Sequence, residues 1–146
     1  AAARDLDPAL FRDEELRNEE VGAAASLVAV VPEVRSALLD FQRSFARQEP
    51  GAVLDGRDIG TVVCPEAQMK LFITASPEVR ARRRQLELGS DDYEAVLAEI
   101  RARDDRDSKR ATAPLVAAAD AVVLDTSEMG IDEAVAAAVS VVNAKP

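Results

Sequence analysis

Three short apolar runs, each followed by helix-forming sequence, limit what this chain can fold into. Ala52-Val-Leu-Asp55, Met69-Lys-Leu-Phe-Ile-Thr-Ala75 and Ala121-Val-Val-Leu-Asp-Thr126 have the length and composition of short buried strands. Ser76-Pro77 follows the second run with N-cap and first-turn chemistry, so a helix is expected to start there. Ahead of the first run, Val34, Leu38, Phe41 and Phe45, with Ala37 between them, recur at helical spacing through about Gln48, and Pro50-Gly51 ends the pattern. Strand and helix in alternation predict an α/β fold with a parallel sheet flanked by helices. The 146 residues, 48% hydrophobic and 31% charged, are enough for one domain with its own core. Aromatics are only 3% and Trp is absent, so that core is expected to be aliphatic, built of Leu, Val and Ile. Residues 1–20 are densely charged with few apolar anchors, and read as a mobile or marginal segment.

Absences narrow the chemistry. The chain has no His, which removes imidazole as general base, phosphate ligand and zinc ligand, and leaves carboxylates, Arg, Lys and an external metal. Cys64 is the single cysteine, so no disulfide forms within the chain, and a reducing, cytoplasmic setting is expected. A net charge of −9 opposes binding to nucleic acid or anionic lipid, because both are polyanions. No stretch has the length and apolarity of a transmembrane helix or a signal peptide. The chain starts on Ala rather than Met, and is expected to be incomplete at its amino end.

Two polar runs carry the functional information. Asp55-Gly-Arg-Asp58 sits at the carboxyl end of an apolar run, where α/β proteins place their ligands, and presents two carboxylates around a guanidinium. Arg103-Asp-Asp-Arg-Asp-Ser-Lys-Arg110 supplies cations suited to phosphate. A helix is expected from about Asp92 to Asp107. Its apolar stripe Tyr93, Val96, Leu97 and Ile100 continues in the same stepping to Arg103, Asp107 and Arg110. Charges that continue a buried stripe suggest that the far end of the helix looks into a site. Alternatively the helix leaves the core there, and Arg103 and Asp107 form an exposed i,i+4 pair. Arg80-Ala-Arg-Arg-Arg84 is the densest basic cluster, and an Arg-rich helix of this kind is commonly a solvated face.

Taken together, Asp55-Gly-Arg-Asp-Ile-Gly-Thr-Val-Val63 and Arg103 to Arg110 resemble the nucleotide-site signatures of bacterial cytidylate kinases. The likeness runs from about Leu16 to the end; residues 1–15 are not placed by it. It implies a P-loop kinase fold, a parallel sheet of five strands with a monophosphate-binding excursion and a lid. The whole of 1–146 would be a single, partial kinase domain. About 16–50 would form its monophosphate-binding helical part, about 51–76 and 111–146 its core, and about 80–110 its lid region. It further implies transfer of the ATP γ-phosphoryl group to CMP or dCMP with Mg²⁺, by a monomer when complete. On that likeness Ser26, Arg35 and Asp58 would contact the base, and Arg57 and Arg110 the monophosphate. Asp107, supported by Arg103, would accept from the sugar hydroxyls. Arg82, Arg83 and Arg84 are lid or phosphate candidates, Arg106 would stabilise charge on the transferring group, and Asp55 would meet Mg²⁺ indirectly, through water. Cys64, where this family more often has Phe, is expected as a small buried hydrophobe. No Gly-x-x-x-x-Gly-Lys-Ser/Thr occurs in the sequence, so the phosphate loop, the first, central strand and the ATP cradle are expected to be absent from it, and these residues alone to be inactive. The alternatives are a pyrimidine-monophosphate-binding or inert fragment, or a P-loop kinase for another small acceptor.

Overall fold

The computed structural model describes Leu16, residues 19–109 and residues 114–144. The chain divides into two compact units, Ala1–Asp55 and Gly56–Pro146. In the first unit, α1 (Glu19–Val28) precedes α2 (Pro32–Ala46). Pro32 opens α2 where a missing N–H costs nothing, while Glu33 in the first turn and Arg43 in the last complement the helix dipole. No residue of α2 is fully buried, and Phe41 and Phe45 of its apolar face remain exposed.

Ala52-Val-Leu-Asp55, expected as a strand, has no regular structure, and Val53 is 96% exposed. The reason is pairing. A strand exists only when its N–H and C=O groups meet a neighbour's, and no described residue pairs with this run.

In the second unit, β1 (Leu71–Thr74) and β2 (Val122–Asp125) pair in parallel, Leu71 with Val122 and Thr74 with Asp125. Among the described residues the sheet has these two strands, fewer than the five the resemblance implies. Parallel neighbours need a long crossover, and here it contains α3 (Pro77–Leu88) and α4 (Tyr93–Ser108). Ser76 caps α3, its Oγ accepting from the Val79 N–H at 3.3 Å. Gly89 ends it in the left-handed conformation, φ 61°, and the Ser90 N–H closes the cap on the Gln85 carbonyl at 3.1 Å. Asp92 then starts α4 by accepting from the Ala95 N–H at 2.9 Å. The two helices pack through Ala81, Val96 and Leu97, with Tyr93 and Ile100 against them. Ala81 is fully buried, and its short side chain lets the helices approach closely. Among the described residues the buried apolar set is Val63, Cys64, Ala75, Ala81, Val96 and Leu97, so alanine takes a larger part in it than the expected Leu, Val and Ile core implied. The closing helix, α5 (Ile131–Asn143), packs against β2 and is capped by Glu133, whose Oε2 accepts from the Gly130 N–H.

Candidate active site

Arg57 and Asp58 are presented by a tightly bonded turn. The Asp58 carbonyl accepts from the N–H groups of Thr61, Val62 and Val63, and so opens a single turn of π-helix, Ile59–Val63. Such turns occur often at functional sites. Gly56 permits the bend, because a Cβ there would stand 2.9 Å from Cγ1 of Ile59. Val63 and Cys64, both buried, anchor the far end of the turn. Lys70 braces it: its stem passes Gly60, and its ammonium donates to the Pro65 carbonyl and to the Asp120 carboxylate at 2.7 Å.

The second run arrives on α4. Its buried line passes from Val96, Leu97 and Ile100 to Asp104, half-buried, and Asp107, which is 1% exposed. Arg103 lies one position off that line and is exposed, as is Arg106. Asp107 meets Arg57, Oδ2 to Nη1, and its backbone carbonyl accepts from the Leu115 N–H at 3.0 Å. A cation that meets Asp107 therefore comes from the first polar run. A guanidinium has five donors in a planar fork, so Arg57, 32% exposed, can be held by a buried carboxylate and still address a phosphate.

The arginine cluster divides its tasks. Arg83 donates to Thr126 Oγ1 at 3.1 Å, to the Thr126 carbonyl at 2.6 Å and to the Met129 carbonyl at 3.0 Å, tying α3 to the loop after β2. Arg82 bonds Gln85 and lies 5.1 Å from the centre of the Tyr93 ring, and Arg84 pairs with Glu87 one turn on. Sequence reasoning missed Arg80. It bonds Asp104 through both terminal nitrogens, at 2.9 and 2.6 Å, and the Ala75 carbonyl through Nε at 2.9 Å. The Asp104 hydrogen bond raises the Arg80 pKa above its ordinary value. The available signal was the position of Asp104, four residues after Ile100 and three before Asp107.

At the carboxyl ends of the strands, Asp125 accepts from the Ser127 hydroxyl and N–H, and Ser127 Oγ accepts from the Ser76 N–H at 2.9 Å. The Ser127 hydroxyl, then its backbone N–H, hold the Asp125 carboxyl below the ordinary carboxylate range.

Of the remaining candidates, Ser26 lies in α1 and Asp55 is exposed at the end of the first unit. Arg35, on α2, is half-buried and donates to the Ala29 carbonyl at 3.3 Å. Arg110 lies outside the described residues. No group of three or more His, Cys, Asp or Glu side chains able to hold a metal occurs among the described residues.

The family model described as cytidylate kinase matches residues 11–144. The chain belongs to the cytidylate kinase family. It is thus an enzyme of the phosphotransferase class. The cytidylate kinase of Xanthobacter autotrophicus is 62% identical over 148 residues, covering 99% of this chain and 71% of that protein. That of Azorhizobium caulinodans is 60% identical over 145 residues, covering 97% of this chain and 70% of the relative. The cytidylate kinase match begins at residue 11 and the relatives align over nearly the whole chain, so the likeness reaches into residues 1–15, which the motifs alone left unplaced. Among the described residues no helix is long and apolar enough to cross a membrane.

Proposed function

We propose that this chain, within its intact gene product, transfers the γ-phosphoryl group of ATP to CMP or dCMP, giving CDP or dCDP. The observation that carries the reading is the meeting of Arg57 with Asp107, because it joins the two polar runs at one place. Arg57, with Arg110, holds the acceptor monophosphate, and Asp107 and Arg103 address the sugar. Cytosine offers an amino donor at N4 and acceptors at N3 and O2, and Asp58, Arg35 and Ser26 are the carboxylate, guanidinium and hydroxyl suited to that edge. An acceptor phosphate oxygen attacks the γ-phosphorus, the bond to the ADP oxygen breaks, and ADP leaves. Positioning and charge stabilisation carry the step, with no covalent enzyme intermediate. Arg106, with Arg82, Arg83 or Arg84 in a rearranged lid, supplies cationic charge to the transferring group.

Mg²⁺, when bound with ATP, neutralises phosphate charge. A single exposed carboxylate suits an ion that keeps most of its waters, and Asp55 would accept from that water shell. The net charge of −9 supports small nucleotides rather than nucleic acid or membrane as partners, and the proposed enzyme acts as a cytoplasmic monomer.

No Gly-x-x-x-x-Gly-Lys-Ser/Thr occurs among the 146 residues, so they supply the acceptor side of the reaction and do not turn over by themselves. Calorimetric titration of the 146-residue chain with CMP, dCMP, UMP, AMP and shikimate, beside ADP release with Mg²⁺ and ATP by that chain alone and by the intact gene product, tests both statements. CMP and dCMP should be preferred. Preference for another acceptor would overturn the reading, and CMP-dependent ADP release by the 146 residues alone would refute the division of labour.

A further inference from the structure

The placement of Asp107 depends on how far α4 is advanced along α3, and apolar contact between the helices is non-directional. Ala81, Val96 and Leu97, with Tyr93 and Ile100 against them, hold the two helices together. Directional contacts add a defined register. Arg80 makes three bonds, two to Asp104 on α4 and one to the carbonyl of Ala75 just beyond β1. A two-pronged guanidinium–carboxylate pair has a narrow geometry, so it fixes direction as well as distance. Asp104, half-buried, is three residues before Asp107 on the same side of the helix.

We propose that Arg80 and Asp104 are a positioning pair, which references the last turn of α4 to the end of β1 and thereby sets where Asp107 meets Arg57. Neither residue touches substrate in this scheme. The inference rests on the reading of Arg57 and Asp107 as acceptor residues for its kinetic consequence, but not for its structural one. The other polar contacts between α3 and α4 define direction less well: Arg101 with Glu78 is exposed on both sides, Tyr93 reaches the Glu78 carbonyl at a marginal 3.5 Å, and Arg82 lies over the Tyr93 ring at 5.1 Å.

The test uses the intact gene product with Asp104→Asn, which keeps shape and loses charge, Asp104→Glu, which keeps charge and lengthens the arm, and Arg80→Lys, which keeps charge and loses the fork. Amide hydrogen exchange at Leu115 gives a readout without substrate, because its N–H is bonded to the Asp107 carbonyl. Exchange there should quicken about tenfold in all three variants, more than at helix amides elsewhere. The KM for CMP should rise about tenfold, since small misplacements of binding groups are costly. In an Asp104→Asn/Asp107→Asn double variant the KM should be that of Asp107→Asn alone. Leu115 exchange that follows only the change in global stability, with KM for CMP within twofold of the parent, would overturn the proposal. If the unmodified enzyme shows no CMP dependence, the acceptor reading fails, and Leu115 exchange still decides the positioning role.

Discussion

Arg57 and Asp107 come from separate polar runs and form an ion pair in which the carboxylate is 1% exposed and the guanidinium 32%. Removing one partner of such a pair costs more than removing a surface pair, because the other is left buried or must find water. Asp107→Asn is therefore expected to lower stability by about 1–3 kcal/mol, short of the fully buried case because Arg57 can turn to solvent. It should also slow turnover on both CMP and dCMP. Arg103→Ala, at an exposed position, should change stability by less than about 0.5 kcal/mol. Urea denaturation of both variants beside the parent checks the contrast, and equal losses would show that burial of Asp107 does not set the cost.

Base choice is the sharpest test of Asp58. If its carboxylate accepts from the cytosine amino group, Asp58→Ala should erode the preference for CMP over UMP in kcat/KM by about 1–3 kcal/mol. Its backbone carbonyl remains in the variant to open the π-helical turn, so the turn itself should survive. Unchanged selectivity would remove Asp58 from the base site.

Lys70 is a buried cation on which the turn leans. Its side chain is 8% exposed and its partner Asp120 is 63% exposed, so Asp120→Ala strands the ammonium with the Pro65 carbonyl alone. A loss of about 1–2 kcal/mol is expected, reduced from the fully buried value because the Asp120 side is screened by water. Lys70→Met, which retains the stem beside Gly60 and removes the charge, should cost less than Asp120→Ala. The reverse order in thermal melts would contradict this account.

Both ends of α3 offer a stability test free of the site. Ser76→Ala removes the N-cap acceptor and should cost about 1 kcal/mol. Gly89→Ala should cost a similar amount for a different reason: nothing stands within 4 Å of the added methyl, so the penalty is the left-handed backbone at φ 61°. Asn, which tolerates that conformation better, should restore part of the loss.

Acid should act through Glu78 and Asp125. Glu78 is held below the ordinary carboxylate range by its backbone hydrogen bond at the start of α3 and then by Arg101, and Asp125 by Ser127. A carboxyl depressed in the folded state stabilises above its unfolded pKa, near 4, and that contribution is lost as the pH falls through the folded value. Stability should thus decline below about pH 4, and Asp125→Asn should flatten part of the decline. A melt profile between pH 2 and 6 that is the same with and without Asp125 would exclude its share.

Local signals made the second unit legible. Ser76-Pro77, the Tyr93-to-Ile100 stripe and the two apolar runs around them predict α3, α4, β1 and β2 nearly where they stand, because caps, helical period and β-branched runs act over a few residues. The kinase signatures were likewise legible as residue types at a spacing. Pairing and contact were not. Ala52–Asp55 has the composition of a strand and lacks a partner among the described residues, and a ladder is made between segments rather than within one. The sequence places Arg103 four residues from Asp107 on the same helix, and gives no sign that Arg57 also meets that carboxylate. Helical stepping drifts by part of a residue each turn, and that drift carries the buried line onto Asp104 and leaves Arg103 in solvent. Which cation reaches a buried carboxylate is decided by the direction in which another segment passes, and only the tertiary structure holds that information.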